Sequence, residues 1–294
     1  MNHLQSIEYR LKSIKYLTQL KNKFTYNKLS QIFNLPMTVL NRYIKGHVLP
    51  SYTRAREIFE VFAEFFDVKD EIRKNITFDE NGYFDNSNIV GNNFILEIVA
   101  SEIFNKYYKK NITKVLTAAV DGVPLAVLTA NELGIDTIIA KKTKEAGVSR
   151  FLEENYSPGR TGIIIPLYLP ANLLSNQDRI LIVEDIIRSG ETQRALCRLV
   201  TKSKALISGI FTLIGIGENK WKEQLKETIL LNYLNYSNIK DDKQKAIISA
   251  FHAHKFDLLK NLVEKENVTD YINDLIESLI KNETINVFIN LPEP

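Results

Sequence analysis

The stretch Arg179-Ile-Leu-Ile-Val-Glu-Asp-Ile-Ile-Arg-Ser-Gly-Glu-Thr-Gln-Arg-Ala-Leu196 decides how this chain is read. Its four apolar residues, Ile180 to Val183, predict a strand buried on both faces, as in the middle of a parallel sheet. Two adjacent carboxylates, Glu184 and Asp185, stand where that strand is expected to end. A short loop with one glycine follows, and Thr192 is placed to cap a helix running through Ala195, Leu196 and Leu199. Parallel sheets bind ligands beyond the carboxyl ends of their strands, where a helix N-terminus offers unpaired N–H groups and a positive dipole end. The acidic pair accepts hydrogen bonds from vicinal hydroxyls while the loop amides hold a phosphate. These residue types specify a phosphorylated sugar.

Outward from this segment, strands alternate with helices. Strands are expected over 114–120, 136–140 and 206–214 with an extended stretch over 162–169, and helices over 94–108 and 124–133. That alternation implies a parallel α/β sheet flanked by helices. Ala118-Ala-Val-Asp-Gly-Val-Pro-Leu125 leads from strand to helix through a turn at Asp121 and Gly122. Lys141-Lys-Thr-Lys-Glu-Ala-Gly147 opens a long irregular segment that ends in a mobile hairpin tip, Tyr156-Ser-Pro-Gly-Arg160. Residues 219–294 read as a helical extension, with helices over 221–234, 242–263 and 270–281 and a short strand over 285–291. His252 and His254 lie about 200° apart around such a helix, so they form no metal pair.

A chain of 294 residues, 45% of them hydrophobic, has room for about two domains with real cores. No apolar run nears the roughly 18 residues that span a membrane, and the N-terminal residues lack a signal-peptide pattern. Cys197 is the one cysteine, so no intrachain disulfide forms, and a cytoplasmic protein without membrane contact is expected. The net charge of +3 hides an asymmetry: residues 1–60 hold ten Lys or Arg against three Glu. A basic N-terminal segment on a slightly acidic body points to a polyanionic partner.

Pattern sharpens that reading. Leu29, Ile32 and Phe33 share one helical face, and residues 34–37 break it. Thr38 then caps a second helix over 39–45, with Leu40 and Ile44 inward and Asn41, Arg42 and Lys45 outward. Gly46 ends this helix, and a long one follows over 52–66. Two short helices with a polar free face on the second resemble the helix-turn-helix of repressor-type DNA-binding domains. The resemblance assigns base-edge contact to Thr38, Asn41 and Arg42, and phosphate contact to Lys45, His47 and Arg54. The expected organisation is a helix-turn-helix domain over 1–78, a turn-rich linker over 79–93, an α/β domain over 94–218 and its helical extension over 219–294.

The segment 179–196 resembles the PRPP-binding motif of type I phosphoribosyltransferases. The resemblance puts Glu184 and Asp185 on the ribose 2- and 3-hydroxyls, and Arg188, Ser189, Gly190, Glu191 and Thr192 around the 5-phosphate. It assigns pyrophosphate binding to the Asp121–Gly122 turn, and a closing basic loop to Lys141, Lys142 and Lys144. Glu191 departs from the family, since many of its enzymes have glycine there. A carboxylate about 4 Å from a phosphate charge costs roughly 1 kcal/mol in water and roughly 4 at an effective dielectric near 20. An outward-pointing side chain or the Arg188 charge would offset this. Together the two resemblances are to transcription regulators with a phosphoribosyltransferase-like sensor, among them the purine repressors of Gram-positive bacteria and a group of archaeal regulators. They imply a homodimer with double-stranded DNA and a phosphorylated small-molecule effector as partners. No cofactor is required beyond Mg2+ accompanying PRPP. The alternative is an active purine or pyrimidine phosphoribosyltransferase with an accessory DNA-binding domain.

Overall fold

The computed structural model describes residues 3–80, 83–158, 162–217, 220–237, 239–255, 258, 259, 262, 270–281 and 283–292. Two compact units divide the chain, Met1–Lys74 and Asn75–Pro294.

The first unit holds five helices among the described residues: α1 (His3–Lys23), α2 (Tyr26–Phe33), α3 (Met37–Ile44), α4 (Tyr52–Phe65) and α5 (Val68–Lys74). Sequence periodicity does not disclose α1, because its buried face is a short stripe of Ser13, Tyr16, Leu17 and Leu20. That stripe packs on α4, whose Ala55, Ile58 and Phe62 are buried. Thr25 caps α2 by accepting from Lys28 N at 3.3 Å. Asn34 ends α2 in the left-handed region, and Ser30 Oγ donates to Leu35 O at 2.6 Å, fixing the tight turn. Helix α3 begins earlier than expected. Its N-cap is Pro36, with no side-chain cap, so Thr38 lies exposed within the first turn and does not cap it. Proline's φ of −57° suits the entry to a helix, but no side chain accepts from the first amides of α3. Leu40 is fully buried, Ile44 half-buried, and Thr38, Asn41, Arg42, Lys45 and His47 are exposed.

The second unit starts with a two-residue hairpin, β1 (Thr77–Phe78) and β2 (Phe84–Asp85), then α6 (Ser87–Val90) and α7 (Asn93–Tyr107). The stretch 79–93, read as a linker, thus carries β2 and α6 and clusters with this unit. The remaining elements are β3 (Lys114–Ala118), α8 (Val123–Leu133), β4 (Asp136–Ala140), β5 (Phe151–Tyr156), β6 (Ile165–Pro170), β7 (Arg179–Ile187), α9 (Glu191–Lys202), β8 (Leu206–Ile216), α10 (Trp221–Tyr236), α11 (Asp241–His252), α12 (Asp270–Ile280) and β9 (Ile285–Leu291). Five strands form a parallel sheet in the order β4-β3-β7-β8-β9. The order reverses between β3 and β7, and such a switch point opens a crevice at the carboxyl edge.

Three features depart from the sequence reading. Strand β7 does not stop at Val183 but runs on to Ile187, because β8 continues to pair it, Glu184 opposite Thr212 and Ile187 opposite Gly215. The segment expected to be irregular contains β5, which pairs antiparallel with β6 as a separate hairpin. The expected helix over 242–263 ends at His252, where Ala253 and His254 turn the chain, and residues 256, 257, 260, 261 and 263–269 lie outside the description. Strand β9 extends the sheet beside β8, so the tail is structural as well as helical. Every residue of β8 is buried, as continuous apolar strands between helices require.

Candidate ligand site at the switch point

The candidate site lies where β3 and β7 part. Their pairing ends at Leu116 opposite Ile182. Beyond it, the Glu184 carboxylate replaces the missing ladder: Oε1 accepts from Ala118 N at 2.6 Å and from Thr117 Oγ1 at 3.0 Å. Glu184 is therefore buried, 4% exposed, and Oε2 faces the turn at Gly122. A Cβ at Gly122 would lie 2.5 Å from Thr117 Oγ1, so this close approach needs glycine.

Asp185 is 7% exposed, and its Oδ2 accepts from Asn86 Nδ2 at 2.7 Å. Asn86 lies in the stretch read as a linker, and no local pattern in the sequence connects it with a residue 99 positions on. Burial pushes the Glu184 carboxyl up to about 8, and the Asp185 and Asp121 charges add to the rise. Burial and the Asp121 charge push Asp185 up to about 6. Asp121 itself is exposed on the turn after β3. Among the described residues no group of three His, Cys, Asp or Glu is arranged to hold a metal ion.

The loop after β7 turns at Gly190, which caps α9 with φ of 74°. The helix therefore starts at Glu191, and Thr192 lies in its first turn instead of capping it. The Thr192 hydroxyl makes a hydrogen bond with Tyr156 of β5. Gln193, fully buried, donates from Nε2 to Ile186 O at 2.9 Å and holds the loop's base, a role that its polarity in an apolar helix face signals only in retrospect. Glu191 is engaged by Arg194 at 2.8 Å, and Arg194 also donates to Gln224 Oε1 at 3.1 Å. Arg194, one helical turn along, thus offers Glu191 a countercharge in addition to the Arg188 charge on the loop. Arg188 is exposed on the loop and Ser189 is half-buried.

The loop lysines follow β4, next to β3 at the same edge. Lys141 pairs its backbone with Tyr168 of β6, and its side chain meets Glu145. Lys144 meets Glu153 and stands 5.0 Å over the Tyr168 ring. Lys142 is exposed. Only Lys142 of the three therefore has no ion pair among the described residues. The β5–β6 hairpin is clamped to α9: Arg198 and Lys202 hold Glu154 at 2.9 and 2.8 Å. Burial raises the Glu154 carboxyl, but these two cations more than offset it and hold it below its ordinary value. Gly159 and Arg160, at the expected mobile tip, lie outside the described residues.

A Cβ at Gly190 would stand 2.9 Å from Trp221 Cβ on a left-handed backbone. Gly190→Ala is therefore expected to destabilise the second unit by at least about 1–3 kcal/mol. A thermal melt of the variant lowered by several degrees checks this.

Residues 92–247 match the family model of the phosphoribosyl transferase domain. A xanthine phosphoribosyltransferase of Ruminiclostridium cellulolyticum is 29% identical over 133 residues, 44% of this chain and 68% of that protein. One from Moorella thermoacetica is 30% identical over 121 residues, 40% of this chain and 60% of that protein. A probable purine biosynthesis transcriptional regulator of Streptococcus pneumoniae is 27% identical over 167 residues, 56% of this chain and 59% of that protein. Among solved structures, an adenine phosphoribosyltransferase from Rhodothermus marinus aligns with a TM-score of 0.48 at 19% identity, over 54% of this chain and 92% of that one. No helix among the described residues is long and apolar enough to cross a membrane. With the acidic strand end, the glycine loop and the matched family model in one parallel sheet, the chain belongs to the phosphoribosyl transferase domain family and has its type I fold.

Proposed function

We propose that the protein is a DNA-binding transcription regulator whose phosphoribosyltransferase domain binds PRPP, a nucleotide or a related sugar phosphate as effector. The observation that carries this reading is the coexistence of two separate compact units, one with the acidic pair at a sheet switch point and the other all-helical and basic. In the helical unit, Thr38, Asn41 and Arg42 are exposed on α3 and Lys45 is its exposed C-cap, while His47 follows it and Arg54 lies in the first turn of α4. An exposed polar face on a short helix supports the reading of α3 as the helix that enters a major groove. Arg54 is the weakest of the six, because Glu57 holds it at 2.5 Å. The likeness to the streptococcal regulator supports the same reading. One recognition helix covers few base pairs, so a homodimer supplies the second half-site. The protein is cytoplasmic on this reading.

The second reading, an active purine phosphoribosyltransferase, is favoured by the likeness to the xanthine enzymes. There a base nitrogen forms the bond to C1 of PRPP as the bond to pyrophosphate breaks. One experiment separates them. Duplex selection from a random library, with and without PRPP, is run beside an assay for nucleotide and pyrophosphate from PRPP with each nucleobase. Selective duplex binding altered by PRPP without turnover supports the regulator. Robust turnover without duplex selection overturns it.

A further inference from the structure

Asn86 occupies an unusual position. It is the N-cap of α6, where an Asn side chain ordinarily accepts from the helix's first amides, yet it makes no such cap. That task has passed to Asp85, whose Oδ1 accepts from Ser87 N at 2.9 Å. The Asn86 amide is thereby released to reach Asp185 Oδ2. A ligand hydroxyl arriving from solvent meets an Asp185 that is 7% exposed and already holds this amide. On its neighbour Oε1 is committed to Thr117 and Ala118, which leaves Oε2, on the Gly122 side, as the acceptor Glu184 can offer. We propose that Asn86 sets the affinity of the site by competing with a ribose hydroxyl for Asp185, and that binding a phosphoribosyl ligand expels it.

The surroundings suit such an exchange. The β1–β2 hairpin has two paired positions, and an isolated two-stranded hairpin is only marginally stable. Beside the Phe78–Phe84 ring contact at 5.6 Å and the Asp79–Tyr83 hydrogen bonds, the segment is fastened by the buried Ile89 and by Asn86 itself. Expelling Asn86 therefore loosens β2 and α6, the elements that follow closely on the end of the first unit at Lys74. A donor shared between protein and ligand is a differential contact of the kind that ligand-driven population shifts require.

This inference rests on the phosphoribosyl reading of the site, and its test separates the two. The full chain, Asn86→Ala and the milder Asn86→Ser are titrated calorimetrically with ribose 5-phosphate and with PRPP plus Mg2+ at pH 8.5. Hydrogen exchange is followed at residues 83–92. Both variants are expected to bind about tenfold tighter, the order of one hydrogen bond to a charged group. Ligand is expected to lower protection at Ser87, Ile89 and Val90 in the parent chain but not in the variants. If Asn86→Ala fails to fold by circular dichroism, Asn86→Ser decides. Equal or weaker binding by the folded variants overturns the competition and leaves the phosphoribosyl site standing. If parent and variants alike bind neither ligand, the reading of the site fails, and the role of Asn86 with it.

Discussion

Glu184→Gln combined with Asp185→Asn is expected to weaken phosphoribosyl-ligand binding by more than a hundredfold. Both substitutions keep size and shape while removing the charges that accept from hydroxyls, and hydrogen bonds to charged groups are worth about 1.5–3 kcal/mol each. Calorimetry with PRPP and with ribose 5-phosphate reads the loss, and an unchanged affinity would reject the site. The same pair carries a pH signature. Burial holds Glu184 up near 8 and Asp185 near 6, above the ordinary carboxylate range. Hydroxyl donors favour the ionised forms, so ligand affinity rises with pH between about 6 and 8 and binding releases protons. Titration in two buffers of different ionisation heat detects that release. Stability follows the opposite sign. In this window the folded state binds more protons than the unfolded one, so the pair's contribution is greatest at low pH and is lost as pH rises through 6 and 8. The double variant is therefore expected to melt higher than the parent at pH 8.5, with the gap closing below pH 4. A parent that melts higher at pH 8.5 would contradict the burial argument.

Arg42→Ala is expected to cost about 1–3 kcal/mol at a selected duplex site and to relax sequence preference at one base position. Arg42 is exposed near the end of α3, beside Asn41, whose Oδ1 accepts from Tyr26 at 3.0 Å. That bond steadies Asn41 and leaves its amide as the outward donor. Lys45→Ala provides the contrast: a phosphate contact weakens all duplexes alike and lowers the slope of affinity against salt by about one. Fluorescence anisotropy over a salt series distinguishes the two patterns. Arg42→Ala without effect on duplex affinity would sink the recognition-helix assignment and leave α3 as a surface helix.

The strand, the acidic pair and the glycine loop were legible because each is local. Ile180 to Val183 are continuous apolar residues, as a strand covered on both faces requires, and Glu184 and Asp185 adjoin them. The short helices α2 and α3 were legible for the same reason, through apolar spacing and a break at Asn34. The helix caps were not legible in this way. Thr38 and Thr192 both carry a capping hydroxyl, yet Pro36 and Gly190 hold the cap positions, because backbone φ and not side-chain chemistry fixed the start of each helix.

What the sequence determined by itself is the alternation of strand and helix, the chemistry offered at the end of β7, and the charge separation along the chain. Tertiary structure decided everything that depends on contacts far apart in sequence. It set the strand order, and so the switch point between β3 and β7. It gave Glu184 its partners 66 and 67 positions away, and gave Asp185 a partner 99 positions away in a stretch that reads as a linker. It also added β9 to the sheet. Local propensity sees neighbours along the chain, whereas the burial that raises both carboxyl groups and the amide that holds one of them arise only when distant segments meet.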